Sequence, residues 1–508
     1  SADYFLGGRD ATWLAIGASI FASNIGSEHL IGLAGAGASS GMAMAHWEIQ
    51  GWMILILGWV FVPFYSRSMV YTMPEFLERR YNPQSRTILS VISLVSYVLT
   101  KVAVTVYAGG LVFQQVFGIK ELWGIDFFWI AAIGLVVLTA LYTIFGGMKS
   151  VLYTSVLQTP ILLLGSLIIL VLGFKELGGW DEMMRVCGAV TVNDYGDTMT
   201  NLIRSNDDAN FPWLGALIGS AIIGFWYWCT DQFIVQRVLS GKNEKEARRG
   251  TIFGAYLKLL PVFLFLIPGM IAFALHQKYI GAGGEGFLPM LANGTANADA
   301  AFPTLVAKLL PAGVKGLVVC GILAALMSSL ASLFNSSAML FTIDFYKRFR
   351  PETPEKKLVG IGQIATVVIV ILGILWIPIM RSVGDVLYTY LQDVQSVLAP
   401  GIAAAFLLGI CWKRTSAQGG MWGLIAGMII GLTRLGAKVY YSNAGEVADS
   451  TFKYLFYDMN WLFFCGWMFL FCIIVVIVVS LATEAPTAEK IQGLVFGTAT
   501  KEQKAATR

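Results

Sequence analysis

Apolar residues occur in long runs along the whole chain, and short polar stretches separate them. A run of about 20 apolar residues is what a helix needs to cross a bilayer. The pattern predicts twelve transmembrane helices, at 12–37, 42–65, 87–116, 124–146, 150–174, 212–236, 249–276, 313–346, 358–380, 383–411, 417–437 and 459–483. We therefore expect an all-α polytopic membrane protein with one transmembrane domain over 1–483. The polar tail 484–508 is expected to be a mobile segment or a short surface helix.

Polar residues interrupt two of these runs at matching places in the two halves of the chain. The first span reads ASNIGSEH over 22–29, and the sixth reads GFWYWCTDQ over 224–232. A membrane helix that stops forming its own hydrogen bonds must line a cavity, because lipid cannot satisfy the freed backbone groups. Paired interruptions in two halves of a chain are a sequence sign of a transporter's binding site. The pattern therefore predicts movement of a polar solute across a membrane.

Charge is sparse and unevenly distributed. Only 13% of the 508 residues are charged, against about 25% in soluble proteins, and the net charge is +4. Lysine and arginine concentrate in the loops around 79–86, 237–249, 347–357 and 413–414. The positive-inside rule places these loops, the chain start and the tail in the cytoplasm. The loops 175–211 and 277–312 are then outside. The short basic clusters do not resemble a nucleic-acid-binding surface.

Cysteine and histidine give no sign of a metal cluster or an enzyme. The six cysteines contain no CxxC pair, and the three histidines are far apart in the chain. We therefore predict no disulfide framework. The sequence also contains no Ser-His-Asp arrangement and no phosphate-binding loop.

Ionisable residues inside the apolar runs are candidates for function, because each costs roughly 3 kcal/mol or more at mid-membrane. Glu48, in the second span, is either an inward-facing group or a carboxylate that water reaches from the membrane surface. Lys258, about ten residues into the seventh span, is either an inward-facing donor or a snorkelling side chain. Lys101 and Asp231 have no other polar residues close in sequence, and we expect them to form structural pairs.

Small hydroxyl residues cluster in the eighth span. Such residues often serve only to let membrane helices pack closely. Alternatively, Ser328 and Ser329 could join the carbonyls of Ala325, Ala22 and Ile25 in a five-oxygen cage. A cage of neutral oxygens suits a monovalent hard cation such as Na+.

Aromatic and amide residues supply further candidates. Tyr227 and Trp228 lie within the interruption of the sixth span. They are either core or interface aromatics, or a ring that stacks on a sugar and a lid over it. Gln392 is an additional amide in the tenth span.

Several long strings resemble the sodium/glucose cotransporters of the sodium–solute symporter family. They are SADYFLGGR (1–9), FASNIGS (21–27), WYWC (226–229), DQ (231–232), VQR (235–237) and AALMSSLAS (324–332). GSEH (26–29) and YTMPE (71–75) are similar to the inositol-carrying branch of that family. The likeness extends over nearly the whole chain. It implies a LeuT-type inverted five-plus-five helix repeat, with repeats over 12–174 and 212–411 and two extra helices over 417–483.

The resemblance also implies the site residues. One sodium ion would lie between the first and eighth spans, held by the carbonyls of Ala22, Ile25 and Ala325 and the hydroxyls of Ser328 and Ser329. The sugar contacts would be Asn24, His29, Glu48, Tyr227, Trp228, Lys258 and Gln392. A site built for hydroxyl groups rejects analogues that lack them.

The chain departs from the family pattern in three respects. Ser155 replaces a common aspartate and Ala331 replaces a hydroxyl residue, so we expect one sodium site and not two. The family usually has a helix before the N-terminal motif and often another at the C-terminus, so the resemblance implies further helices. The loop 277–312 lacks the cysteines of animal members, which favours a bacterial inner membrane.

The sequence thus predicts a sodium-driven symporter of a hexose, with one sodium per sugar and alternating access. The alternative substrate is myo-inositol or another polyol. A function of another class is a sugar-gated sensor or channel that does not concentrate its ligand. The expected partners are a sugar or polyol, sodium and the lipid bilayer, with no nucleic acid. The sequence makes no prediction of oligomeric state.

Overall fold

The computed structural model describes residues 6–291, 294–383, 387–443 and 448–500. These residues are mostly helical. The α-helices are Trp13–Asn24, Ala34–Ser40, Ala45–Ile49, Trp52–Ile56, Val62–Ser68, Met73–Arg80, Pro83–Ser96, Ala103–Phe117, Phe127–Leu177, Trp180–Gly188, Trp213–Gly224, Gln232–Leu239, Glu244–Leu257, Ile267–Gly281, Ala301–Leu309, Ala312–Met339, Lys347–Phe349, Glu355–Val383, Leu387–Cys411, Ala417–Asn443, Thr451–Lys453, Trp461–Ala482 and Ala488–Ile491.

Other helical geometries connect many of these segments. The π-helical turns are Glu28–Leu33, Leu57–Phe61, Tyr97–Val102, Phe225–Thr230, Val262–Leu266, Leu340–Tyr346 and Tyr454–Asp458. The 3-10 turns are Gly7–Arg9, Gly41–Met44 and Ala298–Ala300. One antiparallel hairpin pairs Glu121–Leu122 with Ile125–Asp126.

The helices are long and apolar enough for a multi-pass membrane protein. Among the described residues, ten helical segments can cross a membrane by length and composition. The apolar helix Trp13–Asn24 is shorter, as is the apolar segment Phe127–Leu141 within the helix Phe127–Leu177. Large apolar side chains are exposed on their outer faces; Leu157, for example, is 70% exposed and Ile364 is 65% exposed. Exposed apolar area on this scale would be unfavourable in water. We therefore assign these faces to lipid.

The first two predicted spans are divided differently in the structure. The first span breaks after Asn24, and its second half forms part of one 41-residue segment, Glu28–Ser68, that also contains the second span. Gly41, at φ +79, marks the turn between them. A side chain there would meet the Met199 carbonyl oxygen at 2.1 Å, so the turn requires glycine.

The predicted boundary between the fourth and fifth spans is wrong. Instead of separate helices at 124–146 and 150–174, the structure has one 51-residue helix, Phe127–Leu177. At 1.5 Å per residue its length is about 77 Å, more than twice the roughly 30 Å hydrocarbon core. It therefore cannot be a single straight span along the membrane normal.

The first and seventh spans pack closely against each other at two glycines. A Cβ atom on Gly37 would lie 2.4 Å from the Leu266 carbonyl oxygen, and one on Gly269 would lie 2.0 Å from the Ala34 carbonyl oxygen. Such small residues let membrane helices approach to backbone contact. The two spans are thereby held together on the C-terminal side of the first-span break.

The tail packs against the helix bundle. Thr487 caps the short helix Ala488–Ile491. Beyond it, Val495 is buried, the Phe496 amide donates to the Ile410 carbonyl at 3.0 Å, and the Phe496 ring contacts Phe64 edge-on at 4.8 Å. Of the two alternatives for the tail, the structure shows the surface helix.

Candidate functional site

Both predicted helix interruptions are present. The first span leaves helical geometry at Ile25, with φ −78 and ψ 95. The sixth span becomes π-helical over Phe225–Thr230 and then extended at Asp231, with φ −75 and ψ 130. In both spans the polar residues therefore coincide with a real break in the backbone.

Side chains from other elements satisfy the backbone groups that these breaks release. The Tyr65 hydroxyl donates to the Cys229 carbonyl at 2.5 Å. The Ser329 hydroxyl donates to the Ser23 carbonyl at 2.8 Å. Since lipid offers no such partners, the breaks are stable only where they are enclosed by protein, as they are here.

A small cavity lies between the two breaks, with a free volume of about 20 Å³. That volume holds about one water molecule. Its lining includes six of the seven residues predicted to contact the substrate. These are Asn24, His29, Glu48, Tyr227, Trp228 and Lys258. The seventh, Gln392, is on the helix Leu387–Cys411, but its side chain lies outside the described residues.

Three ionisable side chains meet at one wall of this cavity. Lys258 Nζ lies 2.7 Å from Glu48 Oε2 and 2.6 Å from His29 Nε2. Glu48 Oε1 lies 3.1 Å from the same His29 nitrogen. No more than 4% of any of the three side chains is exposed. Of the two alternatives for Glu48 and Lys258, the inward-facing one is therefore the one that the structure shows.

Aromatic side chains form another part of the cavity wall. The Asn24 amide nitrogen donates to the Tyr227 hydroxyl at 2.9 Å, which joins the first span to the sixth. The rings of Tyr227 and Trp228 are perpendicular, with centroids 4.8 Å apart. The Lys258 ammonium lies 5.6 Å from the Trp228 ring centroid. The two aromatic side chains are thus core residues that also form part of the cavity wall.

Some polar atoms at the cavity have no hydrogen-bond partner among the described residues. They are Asn24 Oδ1, His29 Nδ1 and Gln50 Nε2, and the three side chains are at most 5% exposed. Buried polar atoms almost always have partners. An acceptor, a ring nitrogen and a donor are therefore available to a ligand that both donates and accepts hydrogen bonds.

Sequence reasoning missed several residues of the lining, among them Gln50 and Gln395. In a continuous helix Gln50 would point away from Glu48, two positions earlier. Instead the helix Ala45–Ile49 ends and Trp52–Ile56 begins after Gly51, which turns Gln50 toward the cavity. The available signal was an amide within an apolar run.

Lys101 and Asp231 form the structural pair that the sequence predicted. Lys101 Nζ lies 2.7 Å from Asp231 Oδ2, and both side chains are buried. The Tyr97 hydroxyl donates to the other carboxylate oxygen of Asp231. The Lys101 ammonium also lies 4.4 Å from the Tyr227 ring centroid. The pair thus supports the break in the sixth span, at which Asp231 lies.

The five predicted sodium ligands lie where the first and eighth spans meet. All are buried: Ala22, Ile25, Ala325, Ser328 and Ser329. A Cβ atom on Gly26 would lie only 2.5 Å from Ser329 Oγ. Close contact with the eighth span therefore needs glycine at this point in the first span.

The hydroxyl groups at this junction bond to one another and to the backbone. Ser328 Oγ lies 3.3 Å from Ser155 Oγ. The Ser332 hydroxyl donates to Ser23 Oγ at 2.9 Å. The hydroxyl oxygens at this junction are neutral, and neutral oxygens are suitable ligands for a hard monovalent cation.

Comparison with known proteins identifies the family. The model of the sodium:solute symporter family matches residues 4–427. The chain belongs to this family. It is 37% identical to sodium/myo-inositol cotransporter 2 of Homo sapiens over 97% of this chain and 74% of the relative. It is 39% identical to sodium/glucose cotransporter 1 of Ovis aries over 95% of this chain and 74% of the relative.

Solved structures of transporters share the fold. A Na+-coupled sialic acid symporter in a substrate-bound outward-open state superimposes with a TM-score of 0.72 at 21% identity, covering 96% of this chain and 93% of that one. MhsT in complex with L-phenylalanine gives a TM-score of 0.55 at 13% identity, covering 93% and 99%. The protein therefore has the predicted LeuT-type fold of two inverted five-helix repeats with extra C-terminal helices. It is a sodium-coupled solute symporter, a multi-pass membrane protein and not an enzyme.

Proposed function

We propose that this symporter carries a hexose, moves one sodium ion per sugar and works by alternating access. The observation that carries the proposal is the cavity at the two helix breaks. Its lining includes a lysine–glutamate pair, a histidine, three amide side chains and the aromatic rings of Tyr227 and Trp228. A hexose presents hydroxyl groups that both donate and accept, and a ring face that stacks on aromatic side chains.

In this proposal each predicted residue has a separate role. Glu48 accepts hydrogen bonds from sugar hydroxyls and Lys258 donates them. Asn24 and His29 supply the unpartnered acceptor and ring nitrogen. Tyr227 stacks on the sugar ring, and the Trp228 ring packs against Tyr227 edge-on. Gln392 contributes a further amide from the tenth span.

We further propose that the sodium ion binds to the carbonyls of Ala22, Ile25 and Ala325 and the hydroxyls of Ser328 and Ser329. Adjacent residues of the first span support coupling to the sugar. The Ser23 carbonyl bonds to the eighth span, and Asn24 bonds to Tyr227 of the sixth span. A change at either site therefore moves the same short segment. Coupling requires both ligands to favour the same conformations. In this proposal the segment Ser23–Asn24 links the two sites, because it contacts both.

One sodium ion supplies enough free energy for useful accumulation. Movement of one charge through ~100 mV is worth about 2.3 kcal/mol, and a tenfold sodium gradient adds about 1.4 kcal/mol. Together they support a sugar gradient of roughly several hundredfold. The neutral Ser155 and Ala331, in place of an aspartate and a hydroxyl residue, support the single ion.

The second candidate substrate is myo-inositol. The 37% identity to the human sodium/myo-inositol cotransporter 2 favours it, and a polyol ring would satisfy the same donors and acceptors. We also propose a bacterial inner membrane as the location, because the loop 277–312 contains no cysteine.

Uptake into proteoliposomes tests these proposals. We expect sodium-dependent accumulation of a labelled hexose, stronger competition by hexoses than by myo-inositol, and no accumulation without sodium. At zero voltage, a tenfold sodium gradient should support a tenfold sugar gradient with one ion and about a hundredfold gradient with two. Preferred uptake of myo-inositol would select the second candidate. Binding or currents without accumulation would indicate a sensor or channel and contradict the proposal.

A further inference from the structure

An open groove lies between the second and seventh spans, in their cytoplasmic halves, away from the central cavity. Its volume is about 430 Å³. Three of its lining residues are basic, one is acidic, and two are apolar. They are Lys245, Arg248 and Arg249, then Glu244, then Trp59 and Ile252.

Beside the groove the two spans are in close contact at Gly58. A Cβ atom on Gly58 would lie 3.3 Å from Thr251 Cβ and 3.5 Å from Ile252 Cγ1. The next residue, Trp59, is 54% exposed. Its ring thus forms one edge of the groove and faces the lipid region. Tryptophan is enriched at this depth, where the headgroups meet the hydrocarbon.

The seventh span presents one continuous stripe to the outside. Lys245, Arg249, Tyr256, Leu259 and Phe263 are all exposed. Lys245, Arg249 and Tyr256 are four and seven residues apart on the helix Glu244–Leu257, so they share one helix face. Leu259 and Phe263 follow beyond the end of that helix. Tyr256, Leu259 and Phe263 are 67%, 47% and 54% exposed, as expected of a lipid-facing surface. The two basic residues occupy the cytoplasmic start of the same stripe, at the level of the headgroups.

The positive charge in the groove is only partly neutralised within the protein. Arg248 Nη1 lies 3.5 Å from Glu244 Oε1. Glu246 is occupied in another direction, because its carboxylate accepts from the Trp13 amide at 2.8 Å. Within the described part of the chain, no carboxylate lies within 4.0 Å of the Lys245 or Arg249 side-chain nitrogens. Two cations therefore face the headgroup region without an ionic partner.

We propose that this groove binds an anionic phospholipid of the cytoplasmic leaflet. The lipid phosphate bonds to Lys245 and Arg249, with Arg248 at the rim. One acyl chain follows the apolar stripe past Ile252 and Tyr256. Basic pockets between transmembrane helices on the cytoplasmic side suit such headgroups. A neutral lipid lacks the net charge that these two side chains attract.

Native mass spectrometry of the full chain tests the proposal with phosphatidylglycerol as the probe. The variant Lys245→Gln/Arg249→Gln removes the two cations. The control Lys356→Gln/Lys357→Gln makes the same charge change at two exposed positions of another cytoplasmic segment. We expect the wild type and the control to retain one phosphatidylglycerol molecule. The groove variant should bind it about thirtyfold more weakly, roughly fivefold for each cation lost near an anionic surface.

Additional measurements identify the ligand and exclude misfolding. Phosphatidylcholine should bind the wild type as weakly as phosphatidylglycerol binds the groove variant. Inorganic phosphate at the same concentration should not displace the lipid; displacement would indicate a site for free phosphate and overturn the proposal. The charge-preserving variant Lys245→Arg/Arg249→Lys should retain the lipid. Equal retention by all variants, or equal loss in the groove variant and the control, would also overturn it.

Discussion

Removing Lys258 should destabilise the protein much more than removing Lys258 and Glu48 together. Lys258 Nζ lies 2.7 Å from Glu48 Oε2, and the two side chains are only 4% and 1% exposed. In Lys258→Met the Glu48 carboxylate stays buried, with only His29 Nε2 beside it at 3.1 Å. Breaking a buried pair by removing one partner costs about 3–5 kcal/mol, because a charge is left uncompensated.

The double variant Lys258→Met/Glu48→Gln removes both charges and keeps similar side-chain volumes. Replacing a whole buried pair by neutral groups is often nearly neutral for stability. We therefore expect the double variant to recover at least half of the unfolding free energy lost in Lys258→Met. Sugar binding should not recover, because both groups proposed to bind hydroxyls are then absent. This difference separates the structural role of the pair from its role in binding.

The assay is unfolding of the purified protein in detergent without sugar, for the wild type, both single variants and the double variant. Sugar affinity is measured on the same samples. Additive losses of stability in the double variant would show that the two groups do not interact energetically, and this would refute the reasoning. Wild-type sugar affinity in the double variant would refute the proposed binding role.

Two further predictions concern the sodium site and helix packing. Ser329→Ala removes the hydroxyl that bonds to the Ser23 carbonyl and should raise the sodium concentration for half-maximal uptake about tenfold; an unchanged sodium activation curve would exclude Ser329 from the site. Gly269→Ala places a methyl group 2.0 Å from the Ala34 carbonyl oxygen and should lower stability by about 1–3 kcal/mol. Gly134→Ala, with nothing within 4 Å, should be neutral or stabilising by up to about 1 kcal/mol, and thermal unfolding that ranks the two variants in the opposite order would contradict this.

The helix breaks could be predicted from sequence because the membrane makes them costly. A run such as ASNIGSEH within an apolar span has few explanations other than a wet cavity. The cost of burying charge likewise identified Glu48 and Lys258 as candidates. Their direct contact was not predictable, since 210 positions separate them and only the packed fold brings them together.

Two other features could not be predicted from sequence because they depend on local backbone geometry. Gln50 reaches the cavity through a turn at Gln50–Gly51, which a hydropathy profile does not show. Conversely, Gly146, Gly147 and Lys149 interrupt an apolar run, yet the helix Phe127–Leu177 continues through them. A fall in hydropathy shows only that the side chains become more polar. A helix ends only where its backbone hydrogen bonds end.

The small size of the central cavity links substrate binding to movement. A free volume of about 20 Å³ is far below the roughly 300 Å³ or more of pockets that hold small molecules. A hexose can therefore enter only if some of the spans that line the cavity move apart. The contacts that hold the cavity narrow, Asn24 to Tyr227 and Lys258 to Glu48, are made by the groups proposed to bind the sugar. Sugar hydroxyls would replace these contacts, so binding itself would favour the wider conformation.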